Sequence, residues 1–303
     1  MALKTGRADA VAQITIDYER CIECGLCVAV CKGAPLFLDD TGKVGIDQSL
    51  LFGCVGCGQC VAVCPEDCIA VEGRDLFPSD IIEMPPRASR AAYDELKALM
   101  IGRRSVRNFK DKEVEDTVIQ RIIDAASTAP MGLPPSDVEV LVLQGREKVS
   151  QFAQDMVDLM QSQRWIFSPV MRFLMRPFIG KEACESFENF IVPAIDAFVR
   201  KRNEGEDWLL YNAPVALYFH TSPYADPFDP VIGATYAMLA AEALGLGACM
   251  IGTPAQFMKY SKKLKRKYGI PLKNQQGITV ILGYPAVQYR RAIQRRFADI
   301  HHY

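Results

Sequence analysis

The sequence lacks the features of a secreted or membrane-spanning protein. Residues 1–13 are polar and mixed, without an apolar stretch, so we predict no secretion signal. The longest apolar stretch, residues 165–180, contains two arginines and two prolines. It is too short and too charged to cross a bilayer comfortably. We therefore predict a soluble, cytoplasmic protein with no membrane partner.

The chain also lacks an excess of either charge, with 35 Lys and Arg against 36 Asp and Glu. The charge is nevertheless unevenly distributed, because residues 1–72 hold five basic and ten acidic residues, whereas residues 259–296 hold eleven basic and none acidic. The basic run at 259–267 could indicate nucleic-acid binding. Few aromatic residues interrupt it, and Leu264 and Tyr268 are spaced as on one face of a helix. We predict a solvated helix and no nucleic-acid partner.

Two signals of common catalytic machinery are missing. No G-x-G-x-x-G follows a predicted strand, so the dinucleotide fingerprint is absent, although a flavoprotein can use NAD(P)H without it. The three histidines, His220, His301 and His302, lie at a strand end and on the terminal tail. The sequence therefore assigns no catalytic residue.

Cysteine is abundant, and nine of the eleven cysteines precede residue 69. The spacing C-x2-C-x2-C-x3-C occurs twice, and each cysteine of the first run has a counterpart 33 positions later. Disulfides are not expected without a secretion signal. Zinc sites use separated C-x-x-C pairs rather than runs of four.

This spacing is typical of bacterial ferredoxins with two [4Fe–4S] clusters, in which the fourth cysteine of each run binds the other cluster. Residues 12–75 resemble such a domain, with a β-hairpin that turns at residues 40–42. Gly25, Gly56 and Gly58 suit a tightly curled backbone. Cys68 is expected to be a small core residue, with a ligand role as the alternative. We predict two ligand sets: Cys21, Cys24, Cys27 and Cys64 for one cluster, and Cys54, Cys57, Cys60 and Cys31 for the other.

The remainder of the chain has the pattern of a mixed α+β layer fold. A proline-rich linker is followed by predicted helices at 91–101 and 118–126, and by buried strands at 138–145, 213–222 and 278–285. Residues 231–252 are rich in small apolar residues and favour a buried helix. The predicted domains are residues 1–75, a linker at 76–90, and residues 91–303.

The segment "RRSVRNF", residues 103–109, places three guanidinium groups and one hydroxyl within five residues. Bidentate, permanently charged donors beside a short hydroxyl suit a phosphate monoester. A solvated basic turn is the alternative interpretation.

Four segments in order resemble the nitroreductase-like family of FMN-dependent oxidoreductases over residues 91–297. They are "RRSVRNF", "AASTAPMGLPPSDVEVLVL", "AAEALGLGACMIG" and "LGYPAVQYRRAIQRR". The resemblance implies an α+β sandwich that forms a homodimer, with FMN sites at the subunit interface. The predicted fold is therefore α+β: a ferredoxin-like two-cluster domain followed by a dimeric nitroreductase-like sandwich.

The resemblance also implies the flavin-binding residues, in four groups. The FMN phosphate and ribityl chain would be held by Arg103, Arg104, Ser105 and Arg107. The isoalloxazine would be lined by Pro130, Met131, Gly132 and Leu133, and backbone N–H groups near flavin N5 would come from Ile251, Gly252 and Thr253. A C-terminal arginine, one of Arg291, Arg295 and Arg296, would close on the phosphate. The family often has Ser, Asn and Gln in the 131–135 turn, where this chain has apolar residues, so the substrate is not implied.

These observations predict an iron–sulfur flavoprotein reductase. A ferredoxin-like donor would supply electrons, two [4Fe–4S] clusters would relay them to FMN, and a small organic acceptor such as a nitro compound, a quinone or an activated double bond would be reduced. The alternative is an electron-transfer flavoprotein that serves a partner enzyme. The aromatic-rich insert at 150–212 is interpreted either as a lid over the flavin or as a dimer-interface or core helix pair.

Overall fold

The computed structural model describes residues 2–31 and 35–303, which form two compact units. The N-terminal unit contains the described residues up to Arg90, together with 130–138 and 221–229. The second unit contains residues 91–129, 139–220 and 230–303. Two short segments from later in the chain therefore pack with the N-terminal unit.

The N-terminal unit consists of two small antiparallel sheets and two short helices. Strand β1 pairs with β4, and β2 pairs with β3, which confirms the predicted hairpin at 40–42. Its small core includes three cysteines, Cys27, Cys54 and Cys60, among aliphatic side chains. The elements are β1 (Gln13–Ile16), α1 (Leu26–Val30), β2 (Leu36–Leu38), β3 (Val44–Ile46), α2 (Gln59–Val63) and β4 (Ile69–Glu72).

The 33-residue spacing of the cysteines is also the spacing of the local structure. Helix α2 repeats α1 at this offset, and the start of β4 repeats the start of β2. Gly25 and Gly58 precede the two helices with φ of 71° and 70°, a left-handed conformation that glycine adopts without steric cost. The sequence repeat is therefore a structural repeat.

The second unit is built on a four-stranded sheet in the order β5-β6-β8-β7. Strands β7 and β8 are antiparallel, with Gly247 opposite Gly283. This mixed architecture confirms the predicted α+β class. Its elements up to the insert are α3 (Tyr93–Gly102), α4 (Asp116–Ser127) and β5 (Val138–Gln144). Those after the insert are β6 (Val215–Thr221), α9 (Asp229–Ala243), β7 (Gly247–Ile251), α10 (Thr253–Met258), α11 (Lys262–Lys267) and β8 (Gln276–Gly283).

One predicted element was wrong, because residues 231–252 do not form a single helix. Helix α9 ends at Ala243, and Gly245, with φ of 77°, turns the chain into β7. A left-handed glycine is a common way to end a helix. Small apolar residues suit a buried strand as well as a buried helix, so composition did not separate the two.

The insert is almost entirely helical. Helix α5 buries a full stripe of side chains against the sheet, including Phe152 and Met156. Helix α6 instead exposes Phe173 and Phe178, the latter to 88%. The insert comprises α5 (Arg146–Gln163), α6 (Pro169–Ile179), α7 (Lys181–Ser186) and α8 (Val192–Asn203), with a 3₁₀ turn at Arg164–Phe167 and a π-helical turn at Phe187–Ile191.

The basic run forms the short helix α11, whose first turn is capped by Ser261. Leu264 is buried as predicted, but Lys265 is buried too and donates through Nζ to the Leu272 carbonyl at 3.1 Å. The run is therefore partly built into the core. Among the described residues, no helix is both long and apolar enough to cross a membrane.

Candidate functional site

The first predicted cysteine set lines one recess of the N-terminal unit. Cys21, Cys24, Cys27 and Cys64 all contribute to its wall, together with aliphatic side chains such as Ile16 and Val44. The structure therefore brings Cys64 of the second run to the first three cysteines of the first run.

The second predicted set is also assembled across the repeat. Burial raises the pKa of Cys60 to about 12, and repulsion from Cys31, Cys54 and Cys57 adds to this effect. Burial likewise raises the pKa of Cys54, with a contribution from Cys31. These mutual effects place Cys31 with the second run rather than with its own.

Both sets fit a [4Fe–4S] cluster in donor type and number, and each combines buried and exposed thiols. The thiols stand in for the thiolates that bind iron, and a bound metal deprotonates a coordinating thiol despite a raised pKa. No group of three or more His, Cys, Asp and Glu side chains in 2–31 and 35–303 is spaced to hold a metal ion. In a four-iron cluster each thiolate binds a different iron atom, so the ligands lie farther apart than around a single ion.

Cys68 belongs to the first recess, which the sequence interpretation did not anticipate. Its side chain is 7% exposed, and its Sγ lies 3.4 Å from Cys64 Sγ. Burial raises the pKa of Cys68 to about 12. Burial also acts to raise the pKa of Cys64, but hydrogen bonds from Cys68 outweigh it and leave that pKa lowered.

Arg74 ties the cluster region to the loop predicted to line the flavin. It is 7% exposed with φ of 54°, and its guanidinium donates to the carbonyls of Val55 (2.9 Å), Leu3 (2.7 Å), Ala10 (2.9 Å) and Pro134 (2.9 Å). Val55 follows the predicted ligand Cys54, and Pro134 follows Leu133. No sequence signal pointed to this role of Arg74, because the role depends on four carbonyls far apart in the chain.

The predicted flavin loop has further anchors within the N-terminal unit. Pro130, Met131 and Gly132 are exposed and Leu133 is half-buried. The Gly132 N–H donates to Asp229 Oδ1 at 3.1 Å, and the buried Asp137 accepts from Gly6 N and Ser222 Oγ, both at 2.6 Å. Burial raises the pKa of Asp229. The loop is thus held by residues from three parts of the sequence.

The predicted phosphate segment runs beside β7 in the second unit. Ser105 forms a parallel bridge with Ala248, and the Val106 N–H donates to the Ala248 carbonyl at 3.1 Å. A Cβ on Gly247 would lie 2.5 Å from the Val106 side chain, so this close approach requires glycine. Ser105 therefore lies beside β7, and the 251–253 turn follows directly from the end of the same strand at Ile251.

The three guanidinium groups of this segment separate into two places. Arg103 and Arg104 act on Glu242 of α9, a carboxyl whose pKa burial raises. Arg104 Nε is buried and finds no hydrogen-bond partner among the residues that the structure describes. Arg107 lies over the Tyr211 ring, 5.6 Å from its centroid. The unpartnered Nε of Arg104, beside the exposed Ser105, suits the binding of an anionic group.

Of the remaining predicted residues, Gly252 is exposed and Ile251 and Thr253 are half-buried. Arg291, Arg295 and Arg296 lie on an exposed C-terminal tail.

Comparison with protein families confirms the two predicted types of domain. The model described as the nitroreductase family matches residues 100–284, more than half of the chain. This chain therefore belongs to the nitroreductase family, which confirms the prediction of an oxidoreductase. Residues 13–65 match a model described as a 4Fe-4S dicluster domain.

A solved structure agrees with the fold of the second unit. A nitroreductase with bound FMN from Bacteroides fragilis has 18% sequence identity and a TM-score of 0.50, and the match covers 69% of this chain and 99% of that one. A nitroreductase with bound FMN from Desulfitobacterium hafniense has 20% identity and a TM-score of 0.46, with 69% and 97% covered. No curated protein matches the sequence.

Proposed function

We propose that this chain is an iron–sulfur flavoprotein reductase, in which two [4Fe–4S] clusters pass single electrons from a ferredoxin-like donor to FMN for reduction of a small organic acceptor. One observation carries the proposal. The loop at 130–133 belongs to the same compact unit as both cysteine sets, and Arg74 bonds to both the Val55 and Pro134 carbonyls. A single rigid side chain thereby links a predicted cluster loop to the predicted flavin loop.

The two cysteine sets are the proposed cluster ligands, with Cys31 and Cys64 exchanged between the runs. Cys27, Cys54 and Cys60 are buried, whereas Cys24 and Cys57 are exposed; burial and hydrogen bonding are two of the factors that set a cluster's reduction potential. The acidic composition of residues 1–72 gives this region a net negative charge. A donor protein with a basic face would therefore be attracted to it.

FMN is proposed because the family members from Bacteroides fragilis and Desulfitobacterium hafniense hold it. The residues that would bind its phosphate and ribityl chain here are Arg103, Arg104, Ser105 and Arg107, of which Arg107 lies over the Tyr211 ring, apart from the other two guanidinium groups. The unpartnered Nε of Arg104 supports this assignment. The N–H groups of the 251–253 turn would face the isoalloxazine.

We also propose that the chain forms a homodimer. The tail from Val287 to the C terminus is exposed throughout and carries large apolar side chains, including Tyr289, Ile293 and Phe297. A second copy would cover these side chains and bring the tail arginines to a phosphate site. Light scattering should give twice the 33.7 kDa chain mass; a monomer that holds stoichiometric FMN would contradict the proposal.

The experiment that tests the function is anaerobic turnover of the holoprotein with reduced ferredoxin as donor. We expect sustained reduction of at least one nitroaromatic, quinone or activated alkene, and slower reduction when NADH or NADPH replaces ferredoxin. Flavin that is reduced by ferredoxin but reoxidised only by a partner protein would favour the electron-carrier alternative. No reduction of the flavin by ferredoxin would refute both.

Replacing Arg103 or Arg107 with alanine is expected to weaken FMN binding by about one to two orders of magnitude. Each charge-assisted hydrogen bond to the phosphate contributes roughly 1.5–3 kcal/mol. Lysine should restore only part of the affinity, since it lacks the planar fork. The measurement is the change in FMN fluorescence as FMN is titrated with the flavin-free protein.

The matched control is Arg121→Ala, which removes an exposed arginine from α4. Its FMN affinity should equal that of the wild type, and the cluster absorbance should survive in all three variants. Wild-type affinity in both Arg103→Ala and Arg107→Ala would identify the segment as a solvated turn.

A further inference from the structure

The two cysteine sets are alike in ligand number but not in their surroundings. The first recess contains a fifth thiol, Cys68, and the position 33 residues earlier is Pro35. Proline carries no side-chain hydrogen-bond donor. The repeat therefore provides one set with a donor that the other lacks at the equivalent place.

Cys68 faces two predicted ligands of the first set, Cys64 most strongly and also Cys21. Its Sγ lies 3.4 Å from Cys64 Sγ, within the range of an S–H···S hydrogen bond, and the residue is buried. The Cys68 carbonyl accepts from the Asp17 N–H at 2.8 Å, and the following residue is paired in β4 with Ile16. The backbone on both sides is thus fixed, which holds the thiol against Cys64.

We propose that Cys68 is a positioning residue that donates its S–H to the Cys64 thiolate and raises the reduction potential of the cluster held by Cys21, Cys24, Cys27 and Cys64. The proposal rests on the proposed function in one respect, that this set binds a cluster. A hydrogen bond to a ligating sulfur stabilises the more negative, reduced state more than the oxidised state. On one-electron reduction the proton stays on Cys68, so no proton is taken up from solvent.

The consequence is a contribution to one reduction potential only. The cluster beside Cys68 gains a donor, while the cluster held by Cys54, Cys57, Cys60 and Cys31 lacks one at the equivalent position. Cys68 would thereby make two clusters from one sequence repeat electrochemically different. A role as a plain core residue would leave both potentials unchanged.

The test is an EPR-monitored redox titration of the full-length holoprotein and of Cys68→Ala and Cys68→Ser. In Cys68→Ala we expect the midpoint potential of one cluster to fall. The equilibrium constant for its one-electron reduction should decrease roughly tenfold, which corresponds to about 59 mV. The other midpoint should stay in place and serves as an internal control. Serine keeps a hydroxyl donor, so its shift should be much smaller than that of alanine.

Several results would overturn the inference. Loss of about four iron atoms in Cys68→Ala and Cys68→Ser would make Cys68 a ligand. Equal shifts in the alanine and serine variants would indicate packing rather than hydrogen bonding, and two unchanged midpoints would exclude any effect. A wild-type chain that binds no cluster after anaerobic reconstitution would refute the proposed function and this inference together.

Discussion

A chain that carries Cys31→Ala and Cys60→Ala together is expected to keep about four iron atoms, half of about eight in the wild type. Both thiols belong to the same set, since repulsion from Cys31 contributes to the raised pKa of Cys60. Because the loss of one ligand already removes this cluster, the loss of the second should not lower the iron content further. The measurement is iron and sulfide per chain after anaerobic reconstitution.

The matched variant is Cys27→Ala with Cys31→Ala, which removes two cysteines of the same run. It should lose both clusters, because Cys27 lines the first recess and Cys31 belongs to the second set. If each run bound its own cluster, the outcomes would be reversed. The pair of variants therefore decides between ligand exchange and two independent runs.

Replacing Arg74 with methionine is expected to lower the free energy of unfolding by about 3–5 kcal/mol. The buried guanidinium bonds to four backbone carbonyls, and methionine keeps the apolar stem but none of the donors. At this chain length the loss corresponds to a fall of the thermal midpoint by roughly 10 °C. Because cluster loss makes unfolding irreversible, midpoints should be compared anaerobically at one scan rate.

Two further variants give the prediction its controls. Arg7→Met removes a half-exposed arginine that pairs with Asp75 and donates to the Ser136 carbonyl, and should cost no more than about 1 kcal/mol. The thermal midpoint of Arg74→Lys should lie between those of Arg74→Met and Arg7→Met, since one ammonium group cannot reach all four carbonyls. A midpoint for Arg74→Met as high as that of Arg7→Met would show that the network contributes little.

The Arg74 variant also has a functional readout. If Arg74 links the Val55 and Pro134 carbonyls as proposed, Arg74→Met should slow reduction of the flavin by ferredoxin at temperatures where the protein is folded. Reduction by dithionite, a small reagent, should be less affected. Equal rates for both reductants would separate the stabilising role from the coupling role.

Spacing in the sequence was sufficient to predict the two cysteine sets. The predicted ligand exchange rests on the likeness to two-cluster ferredoxins, and the 33-residue offset of the two runs recurs in α1 and α2 and in the glycines that precede them. Strands β6 and β8 followed from continuous apolar runs, because a buried strand needs them on both faces. Strand β5 was also predicted as a buried strand, but only its Leu143 is buried. Strand β7 was missed because its glycine and small side chains do not distinguish strand from helix.

Short local patterns determined the family and most of the elements and predicted the two cysteine sets, because each of these signals depends on residues close in sequence. Tertiary structure alone decided that the 130–133 loop belongs with the cysteine domain, that Cys68 faces Cys64, and that Arg74 bonds to four carbonyls. It also placed the guanidinium group of Arg107 apart from those of Arg103 and Arg104, although the three residues lie within five positions of the sequence. These contacts form between groups that are far apart in sequence and that the folded backbone brings together. The spacing of residues along the chain does not specify the distance between such groups in space.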